Sequence, residues 1–143
     1  MPKFTRQQAR EQAFALLFEL SYHPGASVAS LLANAGALAE DEAAEARAVD
    51  PYACRAAEAA VAHLEEIDAR ISENLRGWKL NRIARVPLAL LRLAVCEILY
   101  FEDIPAGASI NEAVELAKIY GDEEAPRFIN GVLGSIARMG SGA

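Results

Sequence analysis

Two stretches of this chain gather positive charge with no balancing carboxylate. Residues 1–10 carry Lys3, Arg6 and Arg10 and no acid, and residues 76–92 carry Arg76, Lys79, Arg82, Arg85 and Arg92 and no acid. Such groups suit a phosphate backbone, which responds to the local potential of a patch and not to the sum over the molecule. The sum is −6, with a pI near 5.0, and Glu40, Asp41, Glu42, Glu45 and Asp50 concentrate negative charge in a separate segment. Arg6 and Arg10 are four apart, so they share one helix face. Near a first turn they oppose the helix dipole, at a cost of a few tenths of a kcal/mol each. That placement fits phosphate binding, and it equally fits solvated charge paired with Glu11 or another acid.

Other chemistries find less support. Cys54 and Cys96 stand far apart without a CxxC spacing, and only His23 and His63 could assist them, so neither a zinc site nor a disulfide framework is expected. Both cysteines read as small buried apolar residues. His63 lies beside an apolar stripe and reads as a partial-core histidine. There is no nucleophile elbow, no glycine-rich phosphate loop after a strand, and the carboxylates are scattered, so the chain is not expected to be an enzyme or to need a cofactor. No run of about 18 uncharged apolar residues or signal-type core exists, which implies a cytoplasmic protein without a membrane role.

The elements that must position these cations are helical throughout. Thr5 is a candidate N-cap for a helix running to about residue 22, with Ala9, Ala13, Leu16, Leu17 and Leu20 inside, Phe14 and Phe18 alongside, and His23, Pro24 and Gly25 stopping it. Residues 27–36 form a short alanine-rich helix, and 37–50 an acidic connection. Pro51 opens a long pattern through Ala57, Val61, Leu64, Ile67, Ile71 and Leu75, ending near Gly77. Trp78 then either packs between helices or stacks on RNA. Leu80, Ile83 and Val86 make a short helix. From Pro87 to about residue 102 the text is apolar on nearly every side, which marks a central helix. Arg92 and Glu97 are five apart within it, poorly placed to pair, so each is expected to find a partner on another helix.

Ser109 and Glu112 have capping-box spacing, followed by the stripe Ile110, Ala113, Val114 and Ala117 and by Gly121 as a left-handed cap. An acidic link of Asp122, Glu123 and Glu124 leads to Pro126 in a first turn, then to the stripe Phe128, Ile129, Val132, Leu133 and Ile136. Asn130 and Gly131 sit inside that last helix, where glycine costs about 1 kcal/mol relative to alanine. Gly131 would let another helix approach, with Asn130 bonding a neighbouring backbone. The sum is an all-α bundle of six or seven helices. At 143 residues and 53% hydrophobic the chain can bury one core, so residues 1–139 are expected to form a single domain and 140–143 a flexible tail.

INEAVELAK, the YG that ends its helix and FINGVL together resemble the C-terminal signature of the bacterial transcription antitermination factors of the NusB family. RQQAREQAFALLFE is similar to the arginine-bearing first helix of those proteins, and LRLAVCEILYFEDIP to the segment before their INEA helix. The resemblance implies two small sub-bundles that share the apolar central helix. It also implies binding of boxA-type single-stranded RNA from ribosomal RNA leaders together with the ribosomal protein NusE, within an antitermination complex of RNA polymerase.

Carried over by position, Arg6 and Arg10 contact phosphates with Lys3 close by. Lys118, Arg127 and Phe128 flank the second RNA-contacting region, and Arg76, Lys79 and Arg82 extend the cationic surface. Phe128 also falls on the core stripe. Phe18 stands where many relatives have tyrosine near the NusE surface. Family members often begin with consecutive arginines, whereas Gln7 and Gln8 separate Arg6 from Arg10 here, so the partner is expected to supply much of the RNA affinity. Arg10→Ala is expected to weaken RNA binding and leave folding unchanged. The alternative is a helical adaptor or homodimer acting through protein contacts only, and some NusB relatives are dimers.

Overall fold

The computed structural model describes residues 5–23, 25–31, 49–77 and 79–141, so Lys3, Pro24, Trp78, most of the two segments expected at 27–36 and 37–50, and the end of the tail lie outside the described residues. Among the described residues every regular element is a helix. They are α1 (Arg6–Leu20), α2 (Pro51–Ala62), α3 (Leu64–Glu73), a 3-10 turn (Leu80–Arg82), α4 (Arg85–Tyr100), α5 (Ala106–Tyr120) and α6 (Ala125–Ser141). Residues 28–31 add one further helical turn.

Helix starts are fixed by short polar contacts. Thr5 Oγ1 accepts from Gln8 N at 3.1 Å while Thr5 N donates to Gln8 Oε1 at 2.9 Å, a reciprocal capping box that satisfies two orphan donors of α1. Asp50 Oδ1 accepts from Tyr52 N at 2.8 Å and caps α2, with Pro51 in the first helical position. Asp50 N in turn donates to Gln12 Oε1 at 2.7 Å, which ties the start of α2 to α1.

The centre of the molecule is α4. It buries Ala89, Leu90, Leu91, Leu93, Ala94, Val95, Cys96 and Glu97, and it touches each of the other five labelled α-helices. α1 and α2 pack together on α4 as one group, and α5 and α6 pair tightly as a second, with α3 against α4 and α6. The expected all-α bundle with a shared apolar helix is therefore present.

Several local expectations need correction. The pattern after Pro51 is broken at His63, whose φ of −114° and ψ of 23° end α2 and begin α3. Both halves pack along α4, and the His63 ring stacks on Tyr100 of α4, with centroids 4.0 Å apart and planes 19° from parallel. The buried line of α2 runs through Ala53, Ala56, Ala57 and Ala60, and Val61 is exposed. Leu80 and Ile83 do reach the core, but through a 3-10 turn, and α4 begins at Arg85 with Pro87 in its first turn, where a missing N–H is harmless.

Ser109 does not cap α5. That helix begins a turn earlier, with the Pro105 carbonyl accepting from Ala108 N and Ser109 N, and Ser109 is buried inside it. Gly121 is not left-handed either: its φ of −97° and ψ of 178° are extended backbone. It must be glycine for another reason. A Cβ there would lie 2.7 Å from Ala125 Cβ and 2.9 Å from Ala117 O, so its absence lets the start of α6 close against the end of α5. Asp122 Oδ1 then accepts from Glu124 N at 3.1 Å and from Ala125 N at 2.9 Å, making the acidic link a cap for α6.

Gly131 shows the opposite case. A Cβ at this position would meet nothing within 4 Å, and both Asn130 and Gly131 are exposed, so no approaching helix accounts for the pair. Two substitutions separate these glycines. Gly121→Ala is expected to destabilise the chain by about 1–3 kcal/mol through overpacking, and Gly131→Ala to stabilise it by about 1 kcal/mol through helix propensity, both read from urea unfolding midpoints.

Candidate nucleic-acid interface

Arg10 is not a surface cation. It is 2% exposed, and its Nε donates to Glu97 Oε2 at 2.9 Å and to Oε1 at 3.3 Å, with Glu97 itself 1% exposed. The Tyr52 hydroxyl donates to the same carboxylate. The expectation that Arg10 contacts phosphate is therefore overturned: a guanidinium enclosed among α1, α2 and α4 cannot reach a polyanion without leaving Glu97 charged and alone. Its position was legible, because Arg10, Ala13, Phe14 and Leu17 have the i, i+3, i+4, i+7 spacing of a buried stripe. Arg92 forms the second interhelical pair, with Nε and Nη2 each 2.9 Å from a carboxylate oxygen of Asp68 on α3. Arg92 and Glu97 thus each find a partner on another helix, as the sequence implied.

Arg6 stays exposed at the start of α1. Gln8, one of the two glutamines that dilute the arginines, is occupied by the capping box. Lys118 is exposed near the end of α5 and pairs with Glu115 at 3.0 Å on its own helix, a contact worth about 0–1 kcal/mol and readily exchanged for a phosphate. Arg127 is exposed in the first turns of α6, and Phe128 beside it is partly buried against the core.

The link between these regions is Tyr120, which sequence reasoning passed over. Its ring packs on Phe14 at 5.3 Å, its hydroxyl donates to Glu11, and it remains 44% exposed. Ile119 next to it is 59% exposed. The end of α5 therefore rests on α1 between Glu11 and Phe14, about 8–12 Å along the axis from Arg6. The signal available in the sequence was an aromatic directly before the helix-ending glycine.

The third group of cations lies away from Arg6. Arg10 pairs near the end of α4, whereas Arg85 at the start of α4 donates to Ser21 O at 2.8 Å just beyond α1, so α1 and α4 run antiparallel. Arg82 and Arg85 consequently stand at the far end of α1, about 20 Å from Arg6 for a 15-residue helix. Arg76 and Lys79, both exposed, follow Asn74, whose Oδ1 accepts from Ser135 Oγ in the later half of α6. Arg76, Lys79 and Arg82 do not extend the surface around Arg6.

Phe18 is partly buried and forms one wall of a surface groove of about 400 Å³ between α1, the start of α4 and the turn after α5. Tyr22, Arg85, Pro87, Tyr120 and Asp122 complete it, with the Arg85 guanidinium 4.0 Å from the centre of the Tyr22 ring. A smaller recess of about 320 Å³ on the other side of Tyr120 is lined by Gln8, Glu11, Gln12 and Phe14.

Titration follows burial and bonding. Burial, then the bond to Glu97, pushes the Tyr52 phenol far above its usual range, and the bond to Glu66, then burial, raises Tyr100 to about 12. Burial raises the Cys96 thiol to about 12, which keeps it protonated and inert. Among the described residues no group of three or more His, Cys, Asp and Glu side chains could hold a metal ion, and no helix is long and apolar enough to cross a membrane.

A family model described as the NusB family matches residues 7–138. The transcription antitermination protein NusB of Agathobacter rectalis is 42% identical over 133 residues, 93% of this chain and 99% of that protein. Among solved structures, NusB of T. maritima superposes with a TM-score of 0.77 at 33% identity, covering 95% of this chain and 92% of its own. The antitermination factors NusB and NusE in complex with double-stranded RNA provide another match, with a TM-score of 0.75 at 30% identity over 94% of this chain and 96% of that one.

Arg10→Ala, expected from sequence to leave folding unchanged, should instead cost about 3–5 kcal/mol in urea unfolding, because it strands a buried carboxylate. Alkaline pH provides an independent check. A phenol whose folded pKa is raised contributes stability that is complete below its unfolded value near 10 and is lost as pH climbs through the folded value, about 12 for Tyr100. Thermal melts should therefore fall between pH 10 and 12, and Tyr100→Phe should flatten the fall.

Proposed function

The chain belongs to the NusB family, and from that premise we propose that it is an RNA-binding transcription antitermination factor, taking boxA-type leader RNA of ribosomal RNA operons together with NusE to support read-through by RNA polymerase. The observation that carries this reading is the likeness, over 94% of the chain, to a NusB solved with NusE and RNA. Residues 1–139 act as one domain in the cytoplasm, and the role is binding, not catalysis.

On this reading Arg6, Lys118 and Arg127, with Lys3 ahead of α1, neutralise phosphates of the strand. They lie on α1 and on the two sides of the turn that Tyr120 ties to α1. Phosphate contacts give affinity without sequence choice, and bases of a single strand are chosen by stacking and edge contacts. Tyr120 is the exposed ring at this turn, whereas Phe128 offers only the edge that core packing leaves open. Arg76, Lys79 and Arg82 would meet only a longer stretch of the same transcript. The groove beside Phe18 is the surface for NusE: its aromatic walls with one cation and one carboxylate suit a protein partner.

Arg6→Ala and Arg127→Ala should each weaken RNA binding and lower the slope of log affinity against log salt by about 1, with melting unchanged. Phe18→Asp should abolish the gain in RNA affinity that NusE brings while sparing binding by the chain alone. Filter-binding titrations with and without NusE measure both. Equal affinity of the isolated chain and the pair would reject the partner's share.

A further inference from the structure

The buried ion pair leaves two polar atoms to be accounted for. Arg10 Nη2 and Ser109 Oγ are fully enclosed and have no hydrogen-bond partner among the described residues. Their residues come from different helices, α1 and α5, yet both line the same small recess of about 10 Å³, which Glu97 of α4 also lines, with Leu90, Leu93 and Leu116 as apolar walls. Enclosing an unsatisfied donor or hydroxyl costs on the order of 1–3 kcal/mol, and two such atoms facing one recess on separate helices have a common solution.

We propose that this cavity binds one water molecule, bridging Arg10 Nη2 to Ser109 Oγ and to the Glu97 carboxylate. The water oxygen accepts from the guanidinium, and its two hydrogens point to the serine oxygen and to the carboxylate. That gives three partners, the usual complement of an internal water, and the volume is close to the minimum that admits one. The chemistry of the walls excludes the alternatives. Glu97 repels an anion, Arg10 repels a cation, and no organic ligand fits in about one water's volume. The site joins α1 to α5 across α4, so it accounts for a serine buried within α5 where the sequence spacing had pointed to a helix cap.

The test is a high-resolution crystal structure of the full chain combined with thermal unfolding of Ser109→Ala. The expected results are one spherical density peak of water weight within hydrogen-bond distance of Arg10 Nη2 and Ser109 Oγ, and a lowered melting temperature for the variant, whose bound water has lost a partner. A dry cavity, a direct Arg10–Ser109 hydrogen bond, or a peak heavier than water would overturn the proposal. So would a rise in melting temperature on Ser109→Ala, the behaviour of a hydroxyl buried without a partner. If the variant does not fold, the wild-type density alone decides.

Discussion

Arg10 and Glu97 oppose each other in the interior, and the arrangement of α1, α2 and α4 depends on their meeting. Removing both charges from water costs several kcal/mol per ion, so the pair is weak evidence for added stability. What it does supply is registration. Nε of Arg10 spans both oxygens of Glu97, and the Tyr52 hydroxyl closes on the same carboxylate. A slide of α1 along α4 by one turn would leave three polar groups enclosed and unpaired. Apolar packing alone would resist that slide less, because alanines and leucines along α4 offer similar surfaces at successive turns.

From that fixed point the surface chemistry follows. With α1 held antiparallel to α4, Arg6 is carried to one end of α1 and Arg85 to the other, where Arg85 lines the groove beside the turn after α5. The tight closure at Gly121 then folds α6 back so that Lys118 and Arg127 stand on either side of one turn. Lys118 and Arg127 are thus brought together with Arg6 from places remote in sequence, on a surface that also carries Glu11, Glu115 and the acidic link Asp122, Glu123 and Glu124.

Much of this was legible beforehand. Helical periodicity located α1, α4, α5 and α6 and ran α2 and α3 together as one element, and the all-round apolar text of α4 identified the central one, because an element surrounded by others has no polar face to display. Boundaries were less legible. Ser109 with Glu112 satisfies the spacing of a capping box, but Pro105 already stops the preceding chain and starts α5 from its backbone, so the serine is drawn inside. Gly121 was correctly singled out, yet for the wrong cause: steric closeness to Ala125, and not a positive φ, excludes a side chain. For Arg10 charge points to the surface and register to the interior, and register prevails. The same spacing rule that placed Ala13, Phe14 and Leu17 inside also placed Arg10 there, and Glu97 on α4 was the missing half of the pair.

The glutamines of α1 differ in their freedom to drift. The Gln8 side chain accepts from Thr5 N, so exchanging it for arginine would lose that half of the capping box while the bond from Gln8 N to Thr5 Oγ1 remains. Gln7 is exposed and outside that box. A further arginine on this helix would therefore cost the scaffold least at position 7.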